Sequence, residues 1–148
     1  MILLDTNVVS ELRRRRSGAI DPAVRAWDDS LGDERTFLSV ITILELRRGV
    51  LLKARCDWDQ AVVLSRWLEG QVLPLFADRI LAVDTRVALV CAQLHVPTMR
   101  PHHDALIAAT AIVHELALAT RNTRDFAGTG VRLTDPWSYR VGAGSAPA

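Results

Sequence analysis

The sequence predicts an α/β domain in which acidic side chains meet at one end of a small sheet. A short apolar run at residues 1–4 opens the chain, and Asp5 and a helical pattern over residues 6–12 follow at once. A second short apolar run near Leu118 ends in a polar turn. Helical periodicity fills most of the chain between these two strands. Strands that lead directly into helices are typical of open α/β sheets, where ligands lie beyond the carboxyl ends of the strands.

Asp5 is the first residue after the first predicted strand, so its side chain would point into that crevice. It is also well placed to cap the next helix, because Asp is among the best N-cap residues. The helix is followed by an arginine run at residues 13–16 and by Ser17-Gly18. The run either contacts phosphate groups or ends the helix favourably, since cations stabilise helix C-termini.

Further helices are predicted from their start signals. Asp21-Pro22 provides an N-cap and a proline at the first helical position, and Val24, Trp27 and Leu31 then share one face. Asp57 opens a helix that we expect Gly70 to end, and Asp84 caps a helix over residues 85–94.

Glu45 lies in a helical segment over residues 40–46 that is apolar on most sides. A buried and unpaired charge there would cost free energy, so a partner is expected. The local candidates are a capping box with Thr42 and an ion pair with Arg48, about one turn on. A metal ligand is the third alternative.

Asp104 precedes a helix of small and apolar residues that must be buried on nearly every side. The carboxylate either caps this helix or binds an ion, and its two oxygens allow both. Asp125 lies in the polar turn after the last apolar strand, where Asn and Asp are ordinary turn formers. We interpret Asp5, Glu45, Asp104 and Asp125 as one shared site.

Composition limits the class of protein. With 148 residues, 49% of them hydrophobic, and a net charge of +1, the chain predicts one globular domain and excludes a polybasic nucleic-acid coat. We expect the domain to span residues 1–139 and residues 140–148 to form a disordered tail. No segment approaches the roughly 20 apolar residues of a membrane span. The first apolar run is interrupted by Asp5, so it does not look like an export signal. We therefore expect no membrane contact and a cytoplasmic location.

Four segments carry a family resemblance when they are taken in order. They are MILLDTN at residues 1–7, SVITILELRRG at 39–49, DALIAATA at 104–111 and TRNTRDF at 120–126. With this order and spacing the chain resembles the PIN-domain ribonucleases, most of all the VapC-like toxins of toxin–antitoxin pairs and their FitB-like branch. The resemblance extends over roughly residues 1–137 and includes Pro136-Trp137.

The resemblance implies an α/β/α sandwich with a mostly parallel sheet, a Mg2+ or Mn2+ site and cleavage of RNA. It places Asp5, Glu45 and Asp104 at the three principal acidic positions. The fourth position falls to Asp125 or to Asn122, and we favour Asp125. The supporting or substrate-contacting residues are Thr6, Asn7, Thr120, Arg121, Asn122 and Arg124. The implied partners are RNA, a small antitoxin that blocks the site, and a second copy of the chain in a homodimer.

The residue types agree independently with this metal. Mg2+ prefers carboxylate and water oxygens, whereas zinc would want His or Cys. His102 and His103 do not have zinc-site spacing, and we interpret them as polar surface. Cys56 and Cys91 are interpreted as small buried thiols. A haloacid-dehalogenase-like phosphatase fits poorly because Asn7 stands where its second acid would be. The better alternative is a PIN-like scaffold that binds RNA or an antitoxin without cutting.

Overall fold

Within the part of the chain that the structure describes, five short strands form one parallel sheet. The computed structural model describes residues 1–142. The strands are β1 Ile2–Leu4, β2 Thr36–Ser39, β3 Ile80–Leu81, β4 Ala117–Ala119 and β5 Leu133–Thr134. They lie in the order β3-β2-β1-β4-β5, and each neighbouring pair runs parallel. The predicted α/β fold with a mostly parallel sheet is therefore confirmed.

Among residues 1–142, seven α-helices connect and cover the strands. They are α1 Thr6–Leu12, α2 Pro22–Ser30, α3 Val40–Ala54, α4 Trp58–Trp67, α5 Leu73–Leu75, α6 Thr85–Leu94 and α7 His102–Val113. Short 3-10 turns lie at Arg13–Arg15, Thr123–Phe126 and Pro136–Ser138. The predicted caps Asp21, Asp57 and Asp84 each accept a backbone N–H of the helix that follows. Most helix starts were thus correctly predicted from local signals.

Two helix boundaries differ from the prediction. Gly70 does not end α4, because the chain continues through a π-helical turn, Leu68–Val72, into α5. Leu68 and Val72 are buried in this turn, so tertiary packing overrides the helix-breaking tendency of glycine. α7 begins at His102 and not after Asp104.

The sheet separates two apolar clusters. Leu4 and Ala119 point to the face covered by α1, α2 and α4, whereas Leu3 and Leu118 point to the face covered by α7. Consecutive strand residues point to opposite faces, so these short strands are buried on both sides. The result is the expected α/β/α layering. On the α7 side, α6 packs over α7 through Val87, Cys91, Ala105 and Ala109.

The arginine run ends α1 in a 3-10 turn ahead of Gly18, whose φ is +74°. The Arg15 guanidinium is paired with Asp28 and Asp29, and Arg14 lies 3.5 Å from Glu11. Arg13 stacks on the Trp67 ring, 5.9 Å from its centroid. Arg14 and Arg15 are thus paired with acidic side chains of the same chain, and phosphate contact by the arginine run remains a prediction.

Three further expectations concern the rest of the chain. Among the described residues, no helix has the length and apolar character needed to cross a bilayer. Cys91 is buried but Cys56 is exposed, so the prediction of two buried thiols is wrong for Cys56. Of the tail predicted for residues 140–148, only 140–142 fall inside the described residues.

The small residues of α7 let it lie close to the sheet. Ala108 is fully buried against the cluster that contains Leu3 and Leu118. We expect Ala108→Leu to lower the free energy of unfolding by about 1–3 kcal/mol, because overpacking a dense core forces strain. Ala88→Leu, at an exposed position of α6, is the matched control, since Ala and Leu have similar helix propensities. Equal urea midpoints for the two variants would contradict this packing.

Candidate active site

Asp5 joins the ends of two neighbouring strands. It caps α1 by accepting the Thr6 backbone N–H at 2.8 Å. Its other oxygen accepts the Thr120 hydroxyl at 2.7 Å and the Asn7 side-chain amide at 3.0 Å. The side chain is only 6% exposed. Asp5 therefore caps the helix, as one interpretation predicted, and also lies at the carboxyl end of the sheet.

Burial raises the pKa of Asp5 above its ordinary value. The hydrogen bonds from Thr120, Thr6 and Asn7 oppose this shift, because they favour the charged carboxylate, while the nearby charge of Glu45 adds to it. The protein thus surrounds this acid with donors that orient it. The two oxygens keep fixed directions.

Glu45 finds its partner in α1 and not in its own helix. The Thr6 hydroxyl donates to its Oε1 at 2.8 Å, and His103 Nδ1 lies 3.6 Å from its Oε2. The predicted capping box is wrong, because Ser39 caps α3 by accepting the Ile41 N–H. The alternative ion pair with Arg48 does not form in the described part of the chain. Glu45 is half-buried and faces Asp5.

Asp104 lies in the first turn of α7 but does not cap it. The N-cap position is Pro101, and the Asp104 carboxylate accepts no hydrogen bond from any described residue. The cap interpretation is therefore wrong. Burial raises the pKa of Asp104, and so do the charges of Asp5, Asp125 and Glu45, in that order, whereas His103 lowers it. Four carboxylates thus lie within electrostatic range of one another around Asp104.

Asp125 lies on the 3-10 turn Thr123–Phe126 and is exposed. Asn122, the other candidate for the fourth position, is also exposed, and its backbone N–H donates to the Thr120 hydroxyl at 3.0 Å. Thr120 therefore links Asp5 to this turn. The charge of Asp125 reaches Asp104, which brings Asp125 into the acidic group.

The two supporting arginines have different surroundings. The Arg121 backbone N–H donates to the Asn7 side-chain oxygen at 3.2 Å, and its guanidinium stacks on Trp137, 5.3 Å from the ring centroid. Arg121 is thus a cation held beside the acids. Arg124 is exposed, and within residues 1–142 its guanidinium makes no ion pair. Arg124 lies on the same 3-10 turn as Asp125, and its contact with substrate remains a prediction.

The donors of this group are oxygens, which suit hard divalent cations. Within residues 1–142 no three His, Cys, Asp or Glu side chains stand close enough to enclose an ion by themselves. Mg2+ commonly keeps several waters and uses one or two carboxylates, so this looser arrangement fits such an ion. The unpaired Asp104 carboxylate is the group whose surroundings most favour a cation.

Arg100 is a residue that sequence reasoning missed. Its guanidinium donates to the Ala127 carbonyl oxygen at 2.8 Å and, more weakly, to that of Asp125 at 3.4 Å. His95 Nδ1 accepts the Arg100 backbone N–H at 3.1 Å. Gly128 has a φ of +75°, and a Cβ there would lie 3.2 Å from the Arg100 guanidinium. Arg100 therefore fastens the turn that carries Asp125. Gly128 was the only local signal of such a close approach.

His102 and His103 are adjacent in the sequence but have different surroundings. His103, interpreted as polar surface, is the neighbour of Glu45. His102 packs its ring edge-on against His95, with centroids 5.0 Å apart. The i, i+1 spacing gave no sign that the two rings face different surroundings. Only the placement of α7 beside α3 reveals the contact between His103 and Glu45.

Comparison with known proteins reveals close relatives. A PIN domain profile matches residues 2–131. The chain is 43% identical over 143 residues to Toxin FitB of Neisseria gonorrhoeae, covering 93% of this chain and 99% of that protein. It is 38% identical over 142 residues to VapC ribonuclease Y4jK of Sinorhizobium fredii, covering 93% and 98%. The crystal structure of FitAcB from Neisseria gonorrhoeae has a TM-score of 0.82 at 43% identity, covering 93% of this chain and 99% of that one.

We expect Asp104→Asn to stabilise the metal-free protein at neutral pH. The raised pKa of Asp104 means that the folded state binds protons more readily than the unfolded state. Stability is therefore lost as pH rises from the unfolded pKa through the folded pKa, and Asn removes this loss without removing a hydrogen bond. The gain should be below about 1 kcal/mol because solvent screens the group. Thermal unfolding in chelator should show it at pH 7 and not near pH 3.

The same melts, repeated with Mn2+ in place of the chelator, test cation binding. Mn2+ should stabilise the wild type more than Asp104→Asn, because a ligand that binds only the folded state raises its stability. Equal responses to Mn2+, or a destabilised variant at pH 7, would contradict the electrostatic description of Asp104.

We expect Arg100→Ala to loosen the turn that carries Asp125. The amides of Asp125 and Ala127 donate to carbonyl oxygens within this turn, and their hydrogen exchange should accelerate by about tenfold, the scale of losing one hydrogen bond. Arg86→Ala, an exposed residue of α6, is the control. Unchanged exchange at both amides would show that the Arg100 contacts do not hold the turn.

Proposed function

The chain belongs to the PIN-domain family, and from this premise we propose that it is a metal-dependent endoribonuclease, the toxin of a toxin–antitoxin pair. The observation that carries the proposal is the Asp104 carboxylate, which accepts no hydrogen bond from residues 1–142 and faces the charges of Asp5, Glu45 and Asp125. A bound cation would offset the repulsion between these carboxylates. The relatives support the reaction, since one is named a ribonuclease and another a toxin.

Asp5, Glu45, Asp104 and Asp125 would hold the Mg2+ or Mn2+. When bound, such an ion lowers the pKa of a water and stabilises the leaving oxygen of a phosphodiester. Thr6 orients Glu45, and Thr120 and Asn7 orient Asp5. These hydrogen bonds keep the carboxylates from rotating, which preserves the geometry that the reaction needs.

Asp104 is the acid most open to a cation. Its carboxylate accepts no hydrogen bond within residues 1–142, and without a cation, burial and the neighbouring carboxylates raise its pKa. A bound ion would relieve this repulsion, so we assign Asp104 to holding the ion. Arg121 stacks on Trp137 beside Asn7, and we assign its guanidinium a bidentate contact with two oxygens of the substrate phosphate.

The partner that follows from this function is a cognate antitoxin protein whose tail covers the acidic site. We also propose that the chain forms a homodimer and acts in the cytoplasm, where RNA and a newly made antitoxin are both present. The relative named Toxin FitB, which is similar over 99% of its length, supports the toxin role.

We expect Asp5→Asn to reduce RNA cleavage by at least about 100-fold, since losing even an outer-shell partner of a metal ligand costs about 10–100-fold. The substrate is a pool of structured RNAs, incubated with antitoxin-free protein and Mg2+ or Mn2+. Asp21→Asn is the matched control, because Asp21 also caps a helix, by accepting the Ala23 N–H. It should cut normally, and chelator should abolish all cutting.

Cutting that survives Asp5→Asn would overturn the assigned site. No cutting by the wild type, with RNA binding retained, would favour the non-cleaving scaffold. The asparagine side chain can still accept the Thr6 N–H, so α1 should keep its cap. A circular-dichroism melt checks that the variant is folded.

A further inference from the structure

A groove with a volume of about 670 Å³ leads away from the acidic residues between α1, α3 and α4. Thr6 and Glu45 form its inner end, so it opens directly onto the candidate site. Ser10, Arg13, Lys53 and Gln60 line it further out. Its volume lies within the range of sites that hold small organic ligands, about 300–1,000 Å³. Its position beside the acids ties any occupant to the reaction.

The outer part of the groove contains two cations without acidic partners. Lys53 is the only lysine of the chain, and neither its amine nor the Arg13 guanidinium forms an ion pair with any residue from 1 to 142. Asp57 also lines the groove, but one of its oxygens accepts the Gln60 N–H as the cap of α4. Unpaired cations beside a cluster of acids suit a ligand that is anionic along its length.

The remaining wall is apolar and open. Val50, Leu64 and Trp67 contribute apolar surface, and Arg13 stacks on the Trp67 ring. At Gly49 an added Cβ would meet no atom within 4 Å, so this helix leaves room where a side chain would otherwise stand. The Gln60 amide and the Ser10 hydroxyl line the same space. Such a wall can hold the flat face of a base and offer hydrogen bonds to its edge.

We propose that this groove binds the nucleotide of the RNA next to the cleaved bond, with its phosphate on Lys53 and Arg13 and its base between the apolar wall and Gln60. The proposal rests on the proposed function, because the acids at the inner end define which phosphate is cut. Phosphate contacts hold the strand without reading sequence. Gln60 and Ser10, which can hydrogen-bond a base edge, would then set the preference for the neighbouring nucleotide.

The charges favour RNA over a peptide as the occupant. A peptide bound by its apolar side chains would leave Lys53 and Arg13 partly desolvated and unpaired, which costs free energy. A nucleotide satisfies both cations through its phosphate oxygens. Arg13 keeps its stacking on Trp67 at the same time, since its N–H groups point outward in the plane of the guanidinium.

The first experiment measures binding of a fluorescent single-stranded RNA of about 12 nucleotides and random sequence, in chelator so that nothing is cut. Lys53→Glu should weaken binding by about tenfold at low salt and reduce the salt dependence by about one counterion. Arg55→Glu is the matched control, because Arg55 lies two residues away, is exposed and does not line the groove. It should change binding by less than about threefold. Equal losses in the two variants would overturn the proposal.

The second experiment uses the single lysine. Acetylation of Lys53, followed by mass spectrometry, should slow by at least about fivefold when the RNA is bound, because a phosphate contact covers the amine. If saturating RNA leaves the acetylation rate of Lys53 unchanged, the proposal is overturned. Protection of Lys53 by a peptide partner would not rescue it. Protection in a protein that never cuts RNA with metal would refute the proposed function alone and leave this groove as an RNA site.

Gln60→Ala tests whether the Gln60 side chain recognises the base of the neighbouring nucleotide. The ratio of cleavage rates between RNAs that differ only at the nucleotide beside the cut should shift by about 5–150-fold, the range of about 1–3 kcal/mol that one base contact contributes. The folded state should be unaffected, because the helix cap uses the Gln60 backbone and not its side chain. An unchanged ratio would remove the base-reading part of the proposal.

Discussion

The buried hydrogen bond between Asp5 and Thr120 is the constraint on which the rest of the site depends. It exists because β1 and β4 pair in parallel with Leu4 opposite Ala119, so that the next residues of the two strands meet at the same edge. Asp5 is nearly inaccessible, and an unpaired carboxylate there would be costly. The bond satisfies the acid and also fixes where α1 and the turn after β4 begin. A shift of register by one residue would therefore separate Asp5 from Thr120 and also exchange the core side chains of the two sheet faces.

Repulsion among the four acids lowers the free energy of unfolding that the packed core provides. Asp104 faces three other carboxylates without a hydrogen bond of its own, and this repulsion opposes the folded state. The small residues of α7 make the arrangement possible, because they bury the helix against the sheet and hold its first turn in place. The tightly packed helix α7 thus carries Asp104, an acid that has no hydrogen bond of its own within the described residues. Strained or repulsive groups of this kind are usually found where a ligand relieves them.

Sequence reasoning succeeded where the physics is local. The caps Asp5, Asp21 and Asp84 were predictable because each partner lies within three residues and the preference of Asp for such positions is strong. The partner of Glu45 was not predictable in this way. Thr6 lies 39 residues away, and the nearer Thr42 offered a plausible but incorrect alternative. The Thr42 hydroxyl is buried and has no partner within the described residues. Arg100 was missed for the same reason, since its acceptors lie 25 and 27 residues further along the chain.

Thr6 occupies a position that connects the acids to the groove. Its backbone N–H binds Asp5, its hydroxyl binds Glu45, and its side chain lines the inner end of the groove. A ligand beside Ser10 of α1 and Arg13 of the following 3-10 turn therefore lies next to Thr6, which orients two carboxylates. The first two turns of α1 consequently serve both chemistry and recognition. Because α1 starts at the Asp5 cap, the fit of a strand in the groove and the alignment of the acids should depend on one another, as parts of a single packed element do.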